Sequence, residues 1–258
     1  MVDHFLFRHP PEATFGFWDG WSCLAAIAEA TTRVELGLLV ACTSYRHPTL
    51  LANMANTIDE ISGGRTILGI GAGWTEAEFR ALGAPYDHRA SRFEEALTII
   101  ATLLREGQID FDGQYYQARE CELHPRGPRP KGPPIMVGAT RDRMNRLAAR
   151  HADILNRDFG PTSHADLEAW HAQVDAACAS VGRDPATLER TVAVAVDLPD
   201  SEIAMPRDAI TGSTEELAES LRRIAASGVT HVQIWLEPST LAGIETFAQT
   251  LELLDRDG

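Results

Sequence analysis

From Thr32 onward the chain alternates short apolar, β-branched runs with amphipathic stretches of helical period. That order constrains the fold more than any other feature, because successive strands joined by crossover helices build a parallel sheet. The strand candidates are Val34 to Cys42, Thr66 to Gly71, Pro134 to Ala139, Asp153 to Arg157, Thr191 to Leu198 and His231 to Glu237. Most are nearly continuous apolar runs, as strands covered on both faces require. The helix candidates lie at about Pro48 to Ser62, Ser91 to Arg105, Arg141 to His151, His164 to Val181, Ser213 to Ser227 and Leu241 to Leu254. Ser213 followed by Glu216 forms a capping-box pattern, Gly228 suits a helix end and Pro48 suits a first turn. Ile109 to Gln117 reads as a small hairpin turning at Asp112-Gly113, and Pro125 to Pro134 as a Pro- and Gly-rich loop. Both are excursions within a domain. Six strands are too few to close an eight-stranded barrel, so something precedes or replaces the missing ones.

The 258 residues are 44% hydrophobic and 23% charged, enough apolar material for one large core in one α/β barrel domain spanning 1–258. A formal net charge of -14 repels phosphate backbones and anionic lipid, which argues against nucleic-acid and membrane partners. Cys23, Cys42, Cys121 and Cys178 are widely spaced with no C-x-x-C pair, as suits a reducing cytoplasm. No apolar run approaches the roughly 20 residues that span a bilayer, and the residues around Asp3 and Arg8 do not resemble an export signal.

In a parallel barrel the active site forms where strands end. Beyond Thr66 to Gly71 comes Gly69-Ile-Gly-Ala-Gly-Trp74, whose glycines suit either close approach of a planar ring or phosphate, or tight packing at a barrel rim. Gly138-Ala139-Thr140-Arg141 leads into a helix, where free amides, a hydroxyl and a guanidinium can hold an anion; Thr140 acting only as a cap is the alternative. Thr211 to Thr214 carries the same ambiguity, and the cap is favoured there. No spacing of His, Cys or carboxylates suggests a metal site, and no G-x-S-x-G elbow suggests a hydrolase. Asp3 and His4 by themselves read as solvated polar residues.

Nine ordered segments change that reading: Asp3-His-Phe5, Val34-Glu-Leu-Gly-Leu-Leu-Val40, Tyr45-Arg-His-Pro48, Gly69-Ile-Gly-Ala-Gly-Trp74, Glu78-Phe-Arg-Ala-Leu-Gly83, Arg92-Phe-Glu-Glu-Ala-Leu97, Phe111-Asp-Gly-Gln-Tyr-Tyr116, Pro133-Pro-Ile-Met-Val-Gly138 and Ala148-Ala-Arg-His-Ala-Asp153. Together they resemble the bacterial-luciferase-like monooxygenase and reductase family, most closely its branch dependent on the deazaflavin coenzyme F-420. The resemblance implies a (β/α)8 TIM barrel in which Asp3-His-Phe5 ends the second strand. The first strand, its helix and most of the second strand, roughly 40 residues of a typical barrel, then have no counterpart, so the expectation is either a start assigned too late or a domain shortened at its N-terminus.

The resemblance further implies that Asp3 and His4 flank the flavin or deazaflavin ring, with His4 as the catalytic acid or base. Leu38 and Leu39 match the place where the third strand bulges behind the ring, often through a non-prolyl cis peptide. Ala72 and Gly73 would face the polar edge of the ring, and Gly138, Ala139, Thr140 and Arg141 would hold the phosphate-bearing tail. One departure is clear: the sugar-phosphate dehydrogenase branch has a glutamate after the last rim glycine, where this chain has Trp74. The implied reaction is hydride transfer between reduced F-420 and a small, apolar organic substrate. The alternatives are an FMN-dependent monooxygenase served by a separate flavin reductase, and a non-catalytic flavin-binding protein. Uncovered apolar surface also leads to the expectation of a homodimer.

Overall fold

The computed structural model describes residues 1–8, 14–158, 164–199, 201, 205–206 and 208–257. The chain forms two compact units, Met1–Gly138 with Arg150–Asp153, and Ala139–Ala149 with Ile154–Gly258.

The first unit opens with an antiparallel pair, β1 (Leu6–Phe7) and β2 (Phe15–Gly16), followed by α1 (Gly20–Ala30). Then come β3 (Leu36–Gly37), β4 (Ala41–Cys42), α2 (Pro48–Ser62), β5 (Thr66–Gly71), α3 (Glu76–Leu82) and α4 (Arg89–Glu106). A hairpin of β6 (Gln108–Asp112) and β7 (Gln117–Glu122) precedes β8 (Ile135–Gly138). β5 is the centre of the unit's parallel sheet: β3 and β4 pair with it in succession, in registers Gly37↔Ile67 and Cys42↔Gly71, and β8 pairs with it through Ile70↔Val137. Leu68, Ile70 and Val137 of these strands are buried together with Leu51 and Ile58 of α2 and Phe93, Leu97, Ile100 and Leu104 of α4. The α4 residues recur at the spacing that keeps one helical face turned inward.

Local chemistry fixes the boundaries. His47 caps α2 by accepting from the Thr49 amide at 3.4 Å, Pro48 takes the first turn, and Gly63 ends the helix at φ 66°. The strand expected over Val34 to Cys42 is divided into β3 and β4, with the cis Leu39–Val40 peptide between them. The hairpin turn is longer than a two-residue Asp-Gly turn. Glu95 on α4 accepts from the amides of Gln114, Tyr115 and Tyr116 at 2.9, 2.8 and 3.0 Å, a tertiary acceptor that a local turn pattern does not reveal. The β1/β2 pair and α1 have no counterpart in the sequence reading. α1 is built mostly of small and apolar residues with little sidedness, so its periodicity is weak, although Asp19 caps it through the Ser22 amide at 2.8 Å.

The second unit contains most of α5 (Asp142–His151), then β9 (Ile154–Arg157), α6 (His164–Ser180), a short 3-10 turn at Pro185–Thr187, β10 (Glu189–Asp197), β11 (Ile210–Thr211), α7 (Thr214–Ala226), β12 (His231–Glu237) and α8 (Leu241–Asp257). β9, β11 and β12 all pair in parallel with β10. The side-chain amide of Asn156 joins three of these strands, donating to Thr191 at 2.9 Å and Gln233 at 2.8 Å. The capping box of α7 forms: Ser213 Oγ accepts from the Glu216 amide and Glu216 Oε2 from the Ser213 amide. No helix among the described residues is long and apolar enough to cross a membrane.

Candidate active site

The N-terminal residues run beside the segment between β3 and β4. The Met1 carbonyl accepts from the Leu39 amide at 2.6 Å, and Asp3 Oδ2 accepts from the Cys42 amide at 3.1 Å. Asp3 is buried, not solvated, and its charge is met by Arg46, whose Nη1 donates to the same oxygen at 2.8 Å. Arg46 also reaches the α1 cap, donating from Nη2 to Asp19 Oδ1 at 3.0 Å. Burial pushes the Asp3 carboxyl above its ordinary range, with Arg46 and the Cys42 amide opposing that rise. Asp3 thus ties the N-terminal segment to β4 and to the loop before α2.

His4 faces a different carboxylate. Its Nδ1 lies 2.7 Å from Oε2 of Glu78 on α3, a side chain with no solvent exposure. Glu78 Oε1 accepts from the amides of Phe5 and Leu6 at 2.6 and 3.0 Å, and Tyr45 donates its hydroxyl to Oε2 at 3.2 Å. Burial alone raises the carboxyl, but the hydrogen bonds from His4, Leu6 and Phe5 outweigh it and hold Glu78 below its usual range. Tyr45 shifts the other way: burial, and then the charge of its surroundings including Glu78, push its hydroxyl up. The imidazole is walled by aromatic rings, with centroids 4.3 Å from Phe7, 5.9 Å from Phe17 and 5.7 Å from Trp74. Its side chain keeps 19% exposure, so the ring is not sealed from solvent.

Around this group lie the ends of β4 and β5. Leu38 is buried and Leu39 half-buried, and the cis bond joins Leu39 to Val40. The glycines of β5 serve packing here: a Cβ on Gly69 would stand 2.1 Å from the Leu38 carbonyl oxygen, and one on Gly71 2.8 Å from Val40 Cγ2. Of the two readings the rim sequence allowed, tight packing describes these positions. Gly138, at the end of β8, likewise lies against Val40. Beyond β5, half-buried Ala72 and Gly73 form the turn, with Gly73 at φ 73°. Its carbonyls are held from α4 and the preceding loop, Arg89 Nη1 donating to Gly73 at 2.7 Å and the Tyr86 hydroxyl to Trp74 at 3.2 Å. Burial pushes the Cys42 thiol up to about 12, which disfavours its thiolate form.

Of the expected site residues, the first unit therefore gathers Asp3, His4, Leu38, Leu39, Ala72, Gly73 and Gly138. Ala139, Thr140 and Arg141 belong to the second unit. There the Ala139 amide donates to the Asn156 carbonyl at 3.0 Å, and the Arg141 carbonyl accepts from Asn145 at 2.9 Å. Arg141, not Thr140, is therefore the residue that opens α5. Thr140 and Arg141 are exposed, and Asp142 adds a carboxylate to the first turn that offsets part of its attraction for an anion. The residues the sequence reading passed over are Glu78, Tyr45, Arg46 and Arg89. The first three lie in segments that carried the family resemblance, Tyr45-Arg-His-Pro48 and Glu78-Phe-Arg-Ala-Leu-Gly83, and their roles follow only from the contacts.

Comparison with known proteins gives consistent results. The model of the luciferase-like monooxygenase family matches residues 8–207. The pyrimidine monooxygenase RutA of Cronobacter turicensis is 28% identical over 93% of this chain and 68% of its own length. The 5,10-methylenetetrahydromethanopterin reductase of Archaeoglobus fulgidus is 33% identical over 63% of this chain and 47% of its own. An F420-dependent secondary alcohol dehydrogenase, solved in complex with an F420-acetone adduct, superposes with a TM-score of 0.80 over 93% of this chain and 85% of that one. At 16% identity that likeness establishes a common α/β fold with parallel strands.

Proposed function

The chain belongs to the luciferase-like monooxygenase family and is an oxidoreductase of that family, and from that premise we propose that it transfers a hydride between reduced coenzyme F-420 and a small organic substrate. The observation that carries this reading is the juxtaposition of the His4 imidazole with the segment after β5, 5.7 Å from Trp74, beside the buried, uncharged ends of β4 and β5. The residues fit a planar tricyclic ring. Half-buried Leu39, Val40 and Ala72 offer uncharged surface, and one partly exposed imidazole supplies the proton chemistry. Bound there, the deazaflavin would supply the hydride at its C5. The protein's own part is to orient the substrate, to shield it with the Phe7, Phe17 and Trp74 rings, and to exchange a proton at His4. Gly138 with Ala139, Thr140 and Arg141 is proposed to hold the phosphate-bearing tail, through backbone amides and the Arg141 guanidinium.

A second reading, an FMN-dependent monooxygenase working with a separate flavin reductase, is favoured by the match to RutA over 93% of the chain. Titration of the protein with F-420 and with FMN, followed by absorbance, separates the two, and oxygen consumption accompanies only the second. A spectral change with F-420 and loss of turnover in His4→Ala support the first reading; absence of any change with either compound removes both. The matched relatives are enzymes, which counts against a merely flavin-binding role. Exposed Phe15 and Trp18 beside the site favour self-association as a dimer, and a monomeric elution volume would contradict it.

A further inference from the structure

We propose that Glu78 is the positioning residue that decides which nitrogen of His4 meets the substrate: its buried carboxylate engages the proton-bearing Nδ1 and leaves Nε2 as the exchanging atom. This rests on the reading of His4 as the proton-exchanging group.

The argument begins with what surrounds the carboxylate. The two partners of Oε1, the amides of Phe5 and Leu6, can only donate. Those of Oε2 are the Tyr45 hydroxyl and His4 Nδ1. A carboxylate offers acceptors alone. With Nδ1 2.7 Å away, the proton of that bond is therefore on the imidazole, and the neutral ring carries its lone pair on Nε2. The grip has two points, because the amides that bind Oε1 belong to the two residues directly after His4. One side chain from α3 thus fixes the backbone and the ring of a segment 74 residues away in sequence. Phe7 and Trp74, at 4.3 and 5.7 Å, crowd the ring, and turning it over would break the Glu78 bond.

The consequence for chemistry is direct. When a substrate O–H gives its proton to Nε2, the Nδ1 proton stays in place and the imidazolium so formed lies against the Glu78 carboxylate, which stabilises it. In the reverse direction the Nε2 proton returns to the substrate oxygen and the ring is left neutral. An amide at position 78 would keep an acceptor for the two backbone amides. It would offer Nδ1 a donor instead, forcing the proton to Nε2 and removing the free lone pair from the substrate side.

The test is the tautomer of His4 in the full chain labelled with 15N-histidine, read from long-range proton–nitrogen correlations at mildly alkaline pH, with His4→Gln used to assign the signals. The wild-type ring is expected to carry its proton on Nδ1, and Glu78→Gln to move it to Nε2, with a melting curve confirming that the variant is folded. A wild-type proton on Nε2, an averaged mixture of tautomers, or an unchanged Nδ1 proton in a folded Glu78→Gln overturns the proposal. If that variant does not fold, the wild-type spectrum decides. These readouts need no cofactor, so a failed titration with F-420 and FMN would remove the redox reading while leaving the tautomer assignment standing, and the converse holds equally.

Discussion

Replacing Gly69 by alanine tests the packing that brings the ring-facing segment to its place. An added Cβ would stand 2.1 Å from the Leu38 carbonyl oxygen and 2.9 Å from Met136 Cε. The methionine end can swing aside, whereas the carbonyl is backbone. Carbon–oxygen contacts settle at about 3.3 Å or more, so the strands must part locally by roughly 1.2 Å. Overpacking of this kind costs about 1–3 kcal/mol, and backbone displacement puts this site at the upper end. The lower entropy of the unfolded alanine chain offsets about 0.4–1 kcal/mol of it. A net loss of about 2 kcal/mol remains, which for a chain of this size lowers Tm by roughly 4–8 °C. Gly63→Ala is the control: its φ is 66° with nothing within 4 Å of the new methyl, so only the left-handed conformation is penalised, by about 1–2 kcal/mol, and the same unfolded-chain offset leaves a net loss of about 1 kcal/mol or less. Urea and thermal unfolding of both variants provide the measurement. Gly69→Ala within experimental error of wild type, or less damaging than Gly63→Ala, would refute the close approach of β5 to Leu38. If Leu38 and Leu39 buttress a bound ring, Gly69→Ala also weakens the absorbance response to added F-420, a loss that Gly63→Ala does not share.

Three further outcomes follow from the contacts. Arg46→Met strands the buried Asp3 charge and is expected to cost about 2–4 kcal/mol, somewhat under the range for a fully buried pair because Arg46 is partly exposed. Adding Asp3→Asn should recover at least half of that loss in urea unfolding, and an additive double mutant would show that the two are not coupled. Glu78 has its carboxyl held below the ordinary range, so its contribution to stability is complete above the unfolded value and disappears as pH falls through the folded one. The stability gap between wild type and Glu78→Gln should therefore shrink steadily on acidification below about pH 4.5, and a gap independent of pH would contradict the shift. Of the free thiols, Cys23 and Cys121 are partly accessible while Cys42 and Cys178 are buried. A thiol reagent should thus titrate two of the four groups in the native protein and all four after denaturation, and rapid native modification of Cys42 would argue against the packing of β4.

The alternation of apolar runs and amphipathic stretches was enough to locate the central parallel strands and the long helices, because burial on both faces and a 3.6-residue period leave marks in local composition. Thr66–Gly71 and Pro48–Ser62 were legible to the residue for that reason, helped by Pro48 at the first turn. Local pattern also marked Asp3, His4 and the rim glycines, through their likeness to an ordered set of family segments. What no local pattern contains is who meets whom. That Glu78 holds His4, that Arg46 answers Asp3, that Glu95 sets the hairpin turn and that Gly69 makes room for the Leu38 carbonyl are all decided by elements far apart in the chain. The physical reason is that periodicity reports only whether a side chain is buried, while hydrogen-bond partners and steric limits arise once tertiary packing brings separate segments within a few ångströms.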